Sequence, residues 1–249
     1  MDEVRQQDGS PLDPIYRGHA DCDWSLIAPN DRGIHAASQS LKGAVSSSRI
    51  ASKGQINYFR HLATGLSDFD ITKLEMIDLE ALARHHGLCS NLLDWTSSPY
   101  VAAFFAFTTA LDRANDGRML AGTLEQHAIF LPHRPVCIWR LSLSKELHAN
   151  GDFELLSSLA HINQWQKAQA GCFTRLMHEN HLDIVTYLEE RNLENQLERF
   201  LIPGSETGKA LHDLELMNIT YTSLFPDLRG AAIQANIGMT WRLIGRIRS

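Results

Sequence analysis

The sequence lacks most features that assign a chain to a specialised class of protein. Its 249 residues include four cysteines, at wide spacings and with no CxxC pair, which argues against a disulfide framework and against a cysteine-rich zinc site. It has no run of about 18 uncharged apolar residues, so we expect no membrane span. The net charge of −6 excludes binding of nucleic acid through overall basic charge, although the tail over 241–249 is locally basic.

The first residues, "MDEVRQQDGSPLD", are polar and carry both signs of charge, which does not suit a secretory signal and predicts a cytoplasmic location. The composition, 44% hydrophobic and 21% charged, is that of an ordinary globular protein. Helix and strand signals are interleaved without a linker or an internal repeat. We therefore predict a single α+β (mixed α/β) domain over 1–249, with a helical or loop insertion over about 30–85.

Local patterns predict the individual elements. The stretch "YVAAFFAF" is apolar on every face, which predicts a buried helix over about 99–112 with Pro99 at its first position and Ser97 or Ser98 as its cap. The stretch "HAIFLPHRPVCIWRLSL" predicts two strands broken by prolines. We also expect a loop or weak helix over 30–54, helices over 55–66, 76–86, 153–168 and 182–200, and a strand starting at "CFTRL".

The tripeptide Arg17-Gly18-His19 follows an apolar segment. Arginine presents a planar fork of donors that suits phosphate, and glycine lets a ligand approach the backbone. A salt-bridged arginine at the end of a strand explains this segment equally simply. On the local pattern alone, that structural role is favoured.

Two further stretches contain residue types suited to a site. Asp94 lies in an apolar setting where a carboxylate needs partners, and Thr96 begins a run of three hydroxyl residues at a strand-to-helix turn, where capping and ligand binding are both open. Gln169 lies at a helix end where its amide can reach a ligand. His85, His86 and Cys89 are possible metal ligands, but adjacent histidines point apart and no fourth ligand lies at a recognised spacing, so we predict no metal.

Four motifs, in this order along the chain, resemble those of the FRG domain, a family of bacterial and phage-related proteins. They are "YRGHADCDWSL", "LARHHGLCSNLLDWTSSPYVAAFFAF", "INQWQKAQAGCFT" and "NITYTSLFPDLRGAA". Tyr16 stands in the place of the phenylalanine in the family's Phe-Arg-Gly opening. Two departures concern charge: Arg84 stands where the family usually has glutamine, and Asn91 where it has arginine, so a second anion contact at Asn91 is absent.

The family's layout in turn resembles the ADP-ribosyltransferase fold, with small central β-sheets flanked by helices. Those enzymes place an Arg or His at the end of a first strand, a Ser or Thr on a second strand before a packed helix, and a Glu or Gln before a later strand. Arg17, Thr96 and Gln169 match these places, and we expect them to line one cleft. The resemblance implies NAD as substrate, with Arg17 holding the pyrophosphate or the nicotinamide ribose and Gln169 the ribose hydroxyl.

The site residues implied by this resemblance fall into two groups. The catalytic group is Arg17, Thr96, Gln169 and Asp94, and the group that binds NAD is Arg17, Gly18, His19, Thr96, Ser97 and Gln169. An oxocarbenium-like transition state is best served by a carboxylate, which Asp94 or Glu179 would supply because Gln169 is uncharged.

The function implied is that of an NAD-dependent mono-ADP-ribosyltransferase, a toxin of a toxin–antitoxin or phage-defence system. Its expected partner is a cognate antitoxin or chaperone, and its expected acceptor is nucleic acid, RNA ahead of DNA. The alternative is a noncatalytic module that binds a nucleotide or nucleic acid as a sensor. A nuclease fits poorly because the sequence shows no obvious cluster of acidic metal ligands.

Overall fold

A computed structural model of the chain describes residues 12–32, 44–66, 70–118, 130–148, 151–157, 164–177 and 182–247. The strands are β1 (Leu12–His19), β2 (Leu93–Thr96), β3 (Val136–Leu143), β4 (Phe153–Leu156), β5 (Gly171–Leu176) and β6 (Leu197–Ile202). The helices are α1 (Ala44–Ala63), α2 (Met76–His85), α3 (Pro99–Ala114), α4 (Lys145–His148), α5 (Gln164–Ala168), α6 (Ile184–Glu190), α7 (Thr207–Leu216), α8 (Tyr221–Leu224) and α9 (Leu228–Ile247).

The six strands form one sheet in the order β4-β5-β2-β1-β3-β6, and every neighbouring pair is antiparallel. The α+β class is therefore confirmed. We expected several small sheets, but the strands of the described residues join into a single one because β2 pairs with both β1 and β5.

Each face of the sheet carries its own apolar core. Adjacent residues of β3 alternate between the two cores: Val136 belongs to the core that contains α3, whereas Cys137 belongs to the core that contains α6. Apolar side chains therefore pack against both faces of the sheet. The two cores fix the position of β1 and β2, which carry most of the predicted site residues.

The buried helix predicted over about 99–112 is confirmed as α3. Ser98 is its cap, because the hydroxyl of Ser98 accepts a hydrogen bond from the backbone nitrogen of Val101 at 3.3 Å, and Pro99 follows in the first turn. Most of its apolar side chains are buried, although Tyr100 remains exposed. The sequence left Ser97 and Ser98 open as caps, and the structure selects Ser98.

Two helix predictions are confirmed only in part, as α5 within 153–168 and α6 within 182–200, because strand pairing outweighs the local period in the rest of the described residues. Residues 153–156 form β4 instead of starting a helix, because they pair along β5. The predicted helix over 182–200 ends at Glu190, and its last residues enter β6, which pairs with β3. Helical spacing of apolar residues in short segments does not distinguish a helix from an edge strand.

Other predictions are confirmed in part. The second strand predicted in the proline-broken stretch is confirmed as β3. The first strand was predicted just before Pro132, and most of it falls on residues 127–129, which lie outside the described part. The segment predicted as a loop or weak helix contains the start of α1, while 33–43 lie outside the described residues. Residues 241–247 of the basic tail continue α9, and 248–249 lie outside the described part.

Among the described residues, none of the helices combines the length and the hydropathy needed to cross a membrane. The same residues contain no group of three or more His, Cys, Asp or Glu side chains arranged to hold a metal ion.

Candidate functional site

A cleft of about 570 Å³ opens at the ends of the central strands. Six of the seven predicted site residues line it: Arg17, Gly18, His19, Asp94, Thr96 and Gln169. The seventh, Ser97, is exposed and is not among its lining residues. The strand register explains the convergence, because Thr96 pairs with Tyr16 of β1 on one side and with Gly171 of β5 on the other. Arg17, Thr96 and Gln169 are therefore neighbours despite their separation in sequence.

The Arg17 guanidinium is held by β1 and β2 together. Its Nη1 donates to the backbone oxygen of Asp94 at 2.6 Å, and its Nε donates to Nε2 of His19 at 3.0 Å. Burial lowers the pKa of Arg17 to about 10, so it remains a cation at neutral pH. The sequence left two interpretations of Arg17, a salt-bridged arginine and an arginine that faces a ligand site. The structure is compatible with both, since Arg17 is ion-paired at a strand end and also faces the cleft.

Asp94 has two arginine partners. Arg84 from α2 donates from Nε to Oδ1 of Asp94 at 2.7 Å and from Nη2 to Oδ2, a bidentate pair, and Nη1 of Arg17 lies 3.6 Å from Oδ2. Burial opposes ionisation of Asp94, but these cations lower its pKa from 3.8 to about 2. The expectation that this carboxylate needs partners is met by Arg84.

Arg84 is the residue that sequence reasoning missed. The sequence showed only that Arg84 departs from the family's usual glutamine and that Asn91 lacks the usual arginine. In the structure Asn91 is buried, and its Nδ2 donates to Oδ1 of Asp31 at 2.6 Å. A guanidinium beside that of Arg17 therefore comes from Arg84 on α2 and not from residue 91. The only signal for this in the sequence was that the two departures from the family pattern occur together.

His19 supports Arg17 and is itself almost fully buried, with 1% exposure. Its Nε2 accepts from Arg17, and its Nδ1 lies 3.3 Å from Nε1 of Trp139. Burial and the charge of Arg17 lower the pKa of His19 to about 3, so the ring is neutral at physiological pH. His19 can therefore act as an acceptor that orients the arginine.

Gly18 has a packing role that the sequence did not show. A Cβ at this position would overlap the carbonyl group of Ala102 and lie 2.9 Å from the backbone nitrogen of Ala106. The glycine thus allows α3 to pack directly on β1. We expected Gly18 to let a ligand approach the backbone. Gly18 does line the cleft, and the structure adds a second constraint, the close approach of the helix.

The hydroxyl of Thr96 joins the two sides of the cleft. It donates to the backbone oxygen of Gln169 at 2.7 Å and accepts from the backbone nitrogen of Ser98 at 3.1 Å. The backbone nitrogen of Ser97 donates to the oxygen of Ala170 at 3.0 Å. Thr96 therefore fixes the turn after α5, and its proton is already committed to that bond.

Gln169 ends the helical segment and is tied to the carboxyl-terminal motif. Its Nε2 donates to the backbone oxygen of Leu224 at 3.1 Å, and Phe225 lines the same cleft. Ala170, the next residue, has a φ of 46°, a left-handed conformation that is strained for alanine. The side-chain amide of Gln169 is thus held through Nε2, and its Oε1 receives no hydrogen bond from the described residues.

The lining of the cleft has an excess of positive charge and several aromatic side chains. The charged lining consists of three arginines, Arg17, Arg32 and Arg84, and one carboxylate, Asp94, so the described lining has two net positive charges in a chain whose net charge is −6. The aromatic side chains Trp24, Phe105 and Phe225 also line the cleft. This combination suits an anion that also carries ring systems.

Glu179, the other carboxylate considered for the transition state, lies outside the described residues. Asp94 is thus the acidic residue that the described structure brings to the cleft.

Comparison with known proteins covers one part of this arrangement. Residues 13–115 match the FRG domain, which confirms that resemblance over less than half of the chain. The matched segment includes Arg17, Arg84, Asp94 and Thr96, whereas Gln169 and Phe225 lie beyond it. No curated protein and no solved structure matches the chain.

Proposed function

We propose that this chain is an NAD-dependent mono-ADP-ribosyltransferase that acts in the cytoplasm as a toxin or phage-defence effector and modifies nucleic acid, RNA ahead of DNA. The observation that carries the proposal is the cleft itself, in which Arg17, Thr96 and Gln169 meet beside an excess of positive charge. These residues are the ones that the resemblance to the ADP-ribosyltransferase fold assigns to NAD.

The proposed reaction exchanges one bond at the ribose for another. The bond between C1′ and nicotinamide breaks, the nicotinamide ring takes the electron pair, and C1′ forms a bond to an oxygen or nitrogen of the acceptor, which loses a proton. Arg17 holds the anionic part of NAD, while the free Oε1 of Gln169 accepts a hydrogen bond from a ribose hydroxyl. Because nicotinamide leaves without a proton, the protein's main task is to position the reactants.

Thr96 and Asp94 serve this task indirectly. Thr96 fixes the backbone of Gln169, so its effect on the ribose passes through that residue. Asp94 is ion-paired with two arginines, and its charge is largely compensated. We therefore assign Asp94 to the positioning of Arg17 and Arg84 rather than to direct stabilisation of the oxocarbenium ion.

The same ion pairing supports the second candidate function, a noncatalytic sensor that binds a nucleotide or nucleic acid. Because the negative charge of Asp94 is compensated by the two arginines, the described part of the cleft has no unpaired carboxylate to stabilise a positively charged transition state. This version keeps the binding roles of Arg17 and Gln169 and omits bond cleavage.

The test is label transfer from NAD labelled in its adenosine part to RNA, DNA or protein. Wild-type chain should label RNA most strongly, and Arg17→Ala should reduce labelling by about 100-fold or more because it removes the cationic contact to the anionic part of NAD. Arg140→Ala is the matched control, since Arg140 pairs with Glu198 and does not line the cleft. Binding of NAD without any transfer would favour the sensor.

A growth assay tests the biological part of the proposal. Expression of the wild-type chain should arrest growth, and Arg17→Ala should relieve the arrest while Arg140→Ala should not. Co-expression of the cognate antitoxin or chaperone should silence the wild-type chain. Harmless expression of active enzyme would contradict the toxin role alone.

A further inference from the structure

Arg17 and Arg84 come from different elements and share one anchor, Asp94. Arg84 uses Nε and Nη2 on the two carboxylate oxygens, while Arg17 uses Nη1 on the backbone oxygen and Nε on His19. Both arginine side chains are 14% exposed and both line the cleft. Two guanidinium groups are therefore held side by side at one position of the cleft.

Each guanidinium retains a terminal nitrogen that is not used by this network. No group in the described part of the chain accepts a hydrogen bond from Nη2 of Arg17 or Nη1 of Arg84. Asp94 also compensates only one of the two positive charges. The pair thus offers oriented donors and a net charge of the sign that attracts an anion.

We propose that Arg84 and Arg17 together bind the diphosphate of a nucleotide, and that Asp94 is the positioning residue that anchors both guanidinium groups. This inference rests on the proposed function, because it places the diphosphate of NAD at this pair. It also decides between the two groups that Arg17 was expected to hold, favouring the pyrophosphate over the nicotinamide ribose.

A diphosphate fits the pair better than a single small anion does. Two adjacent phosphate groups match two adjacent guanidinium groups, each of which recognises a tetrahedral oxyanion. The cleft volume of about 570 Å³ far exceeds that of a phosphate, and Phe105 and Phe225 supply apolar surface for the attached rings. The donors therefore suit the middle of an extended nucleotide.

The recessed position of the pair favours a small ligand over a polymer. Side chains that are 14% exposed contact a ligand that enters the cleft more readily than a nucleic-acid backbone that crosses the surface. Binding of RNA through this pair is the competing outcome, and the experiment below separates it from the proposal.

The experiment is calorimetric titration of the full chain with inorganic pyrophosphate, orthophosphate, ADP-ribose, nicotinamide riboside and a short single-stranded RNA. We expect pyrophosphate and ADP-ribose to bind, pyrophosphate to bind more tightly than orthophosphate, and Arg84→Gln to weaken both ligands by about tenfold or more. Nicotinamide riboside, which has no phosphate, should be unaffected by Arg84→Gln. Arg140→Gln is the control outside the cleft and should bind like the wild type.

A second variant distinguishes a loss of binding from a loss of folding. Arg84→Lys keeps the charge beside Asp94 but has no fork, so it should retain the wild-type melting temperature more closely than Arg84→Gln and still lose most of the preference for pyrophosphate over orthophosphate. If Arg84→Gln and Arg84→Lys both bind pyrophosphate as the wild type does, or if RNA alone loses affinity in them, the inference is overturned.

The outcomes for this inference and for the proposed function are separable. Arg84-dependent binding of pyrophosphate without any cleavage of NAD would support the diphosphate site and contradict the transferase. Cleavage of NAD with an unchanged KM for NAD in Arg84→Gln would support the transferase and contradict the diphosphate site.

Discussion

Arg17 and Asp94 are joined twice, through a 2.6 Å hydrogen bond from Nη1 of Arg17 to the backbone oxygen of Asp94 and through an ion pair of 3.6 Å to its carboxylate. The backbone bond fixes the arginine to β2 irrespective of the protonation state of the carboxylate. Arg84 completes the network from α2. The Arg17 guanidinium is therefore positioned by β1 and β2, which are distant in sequence, and Arg84 is held through the same aspartate.

Asp94→Asn should destabilise the chain because it leaves two recessed guanidinium groups without a counter-charge. We expect a loss of about 2 kcal/mol in the free energy of unfolding, less than the ~3–5 kcal/mol typical of fully buried pairs, because the Asp94 side chain is 47% exposed to the cleft. Urea unfolding at neutral pH measures this loss. Glu198→Gln, which breaks the exposed pair with Arg140, should cost under about 1 kcal/mol; equal losses would contradict the network.

His19→Gln should make stability less dependent on pH. In the folded chain the pKa of His19 is about 3, against an ordinary value of 6.5, so only the unfolded chain takes up this proton between those values. Stability therefore falls as the pH is lowered from 6.5 towards 3, and by about pH 5 this histidine alone should cost about 2 kcal/mol. Denaturation curves of the wild-type chain and of His19→Gln across this range should give free energies of unfolding that converge towards acid pH. Parallel pH profiles would show that His19 is not kept neutral.

Gly18→Ala should destabilise the chain through the clash of its Cβ with α3. We expect a cost of about 1–3 kcal/mol, since Ala102 and Ala106 are backbone neighbours that cannot rotate away. Gly54→Ala is the matched control, because nothing lies within 4 Å of a Cβ there and the residue is within α1. That control should be neutral or stabilising by about 0.5–1 kcal/mol, measured by thermal or urea unfolding. A tolerated Gly18→Ala would contradict this packing role.

Ser98→Ala should cost about 1 kcal/mol because it removes the cap of α3. Ser97→Ala, one residue earlier and exposed, should change the free energy of unfolding by less than about 0.5 kcal/mol. The comparison of these two chains by urea unfolding needs no other control. The reverse order would assign the cap to Ser97.

The sequence predicted best what depends on short-range signals. The serine cap, the proline and the apolar run of α3 are encoded within a few residues, and the pattern around Arg17 favoured a salt-bridged arginine at the end of a strand, as the structure shows. Residues 153–156 and 197–200 were misread because their strand structure depends on pairing with β5 and β3, which are remote in sequence. Local apolar spacing contains no information about such partners.

The sequence predicted most of the residues that line the cleft but not the contacts between them. Arg17, Thr96 and Gln169 do meet, yet the sequence could not show that Thr96 bonds the backbone of Gln169 or that Gly18 admits α3. Arg84 was missed because its role depends on where α2 lies against β2. These are three-dimensional relationships between elements, and a single sequence gives no direct signal for them.

The most direct test of the account is the time course of nicotinamide release from NAD, with and without RNA, by the wild-type chain, Arg17→Ala and Arg140→Ala. The account predicts release that is stimulated by RNA, falls by about 100-fold in Arg17→Ala and is unchanged in Arg140→Ala. Absence of release by the wild-type chain, or equal release by Arg17→Ala, would contradict it.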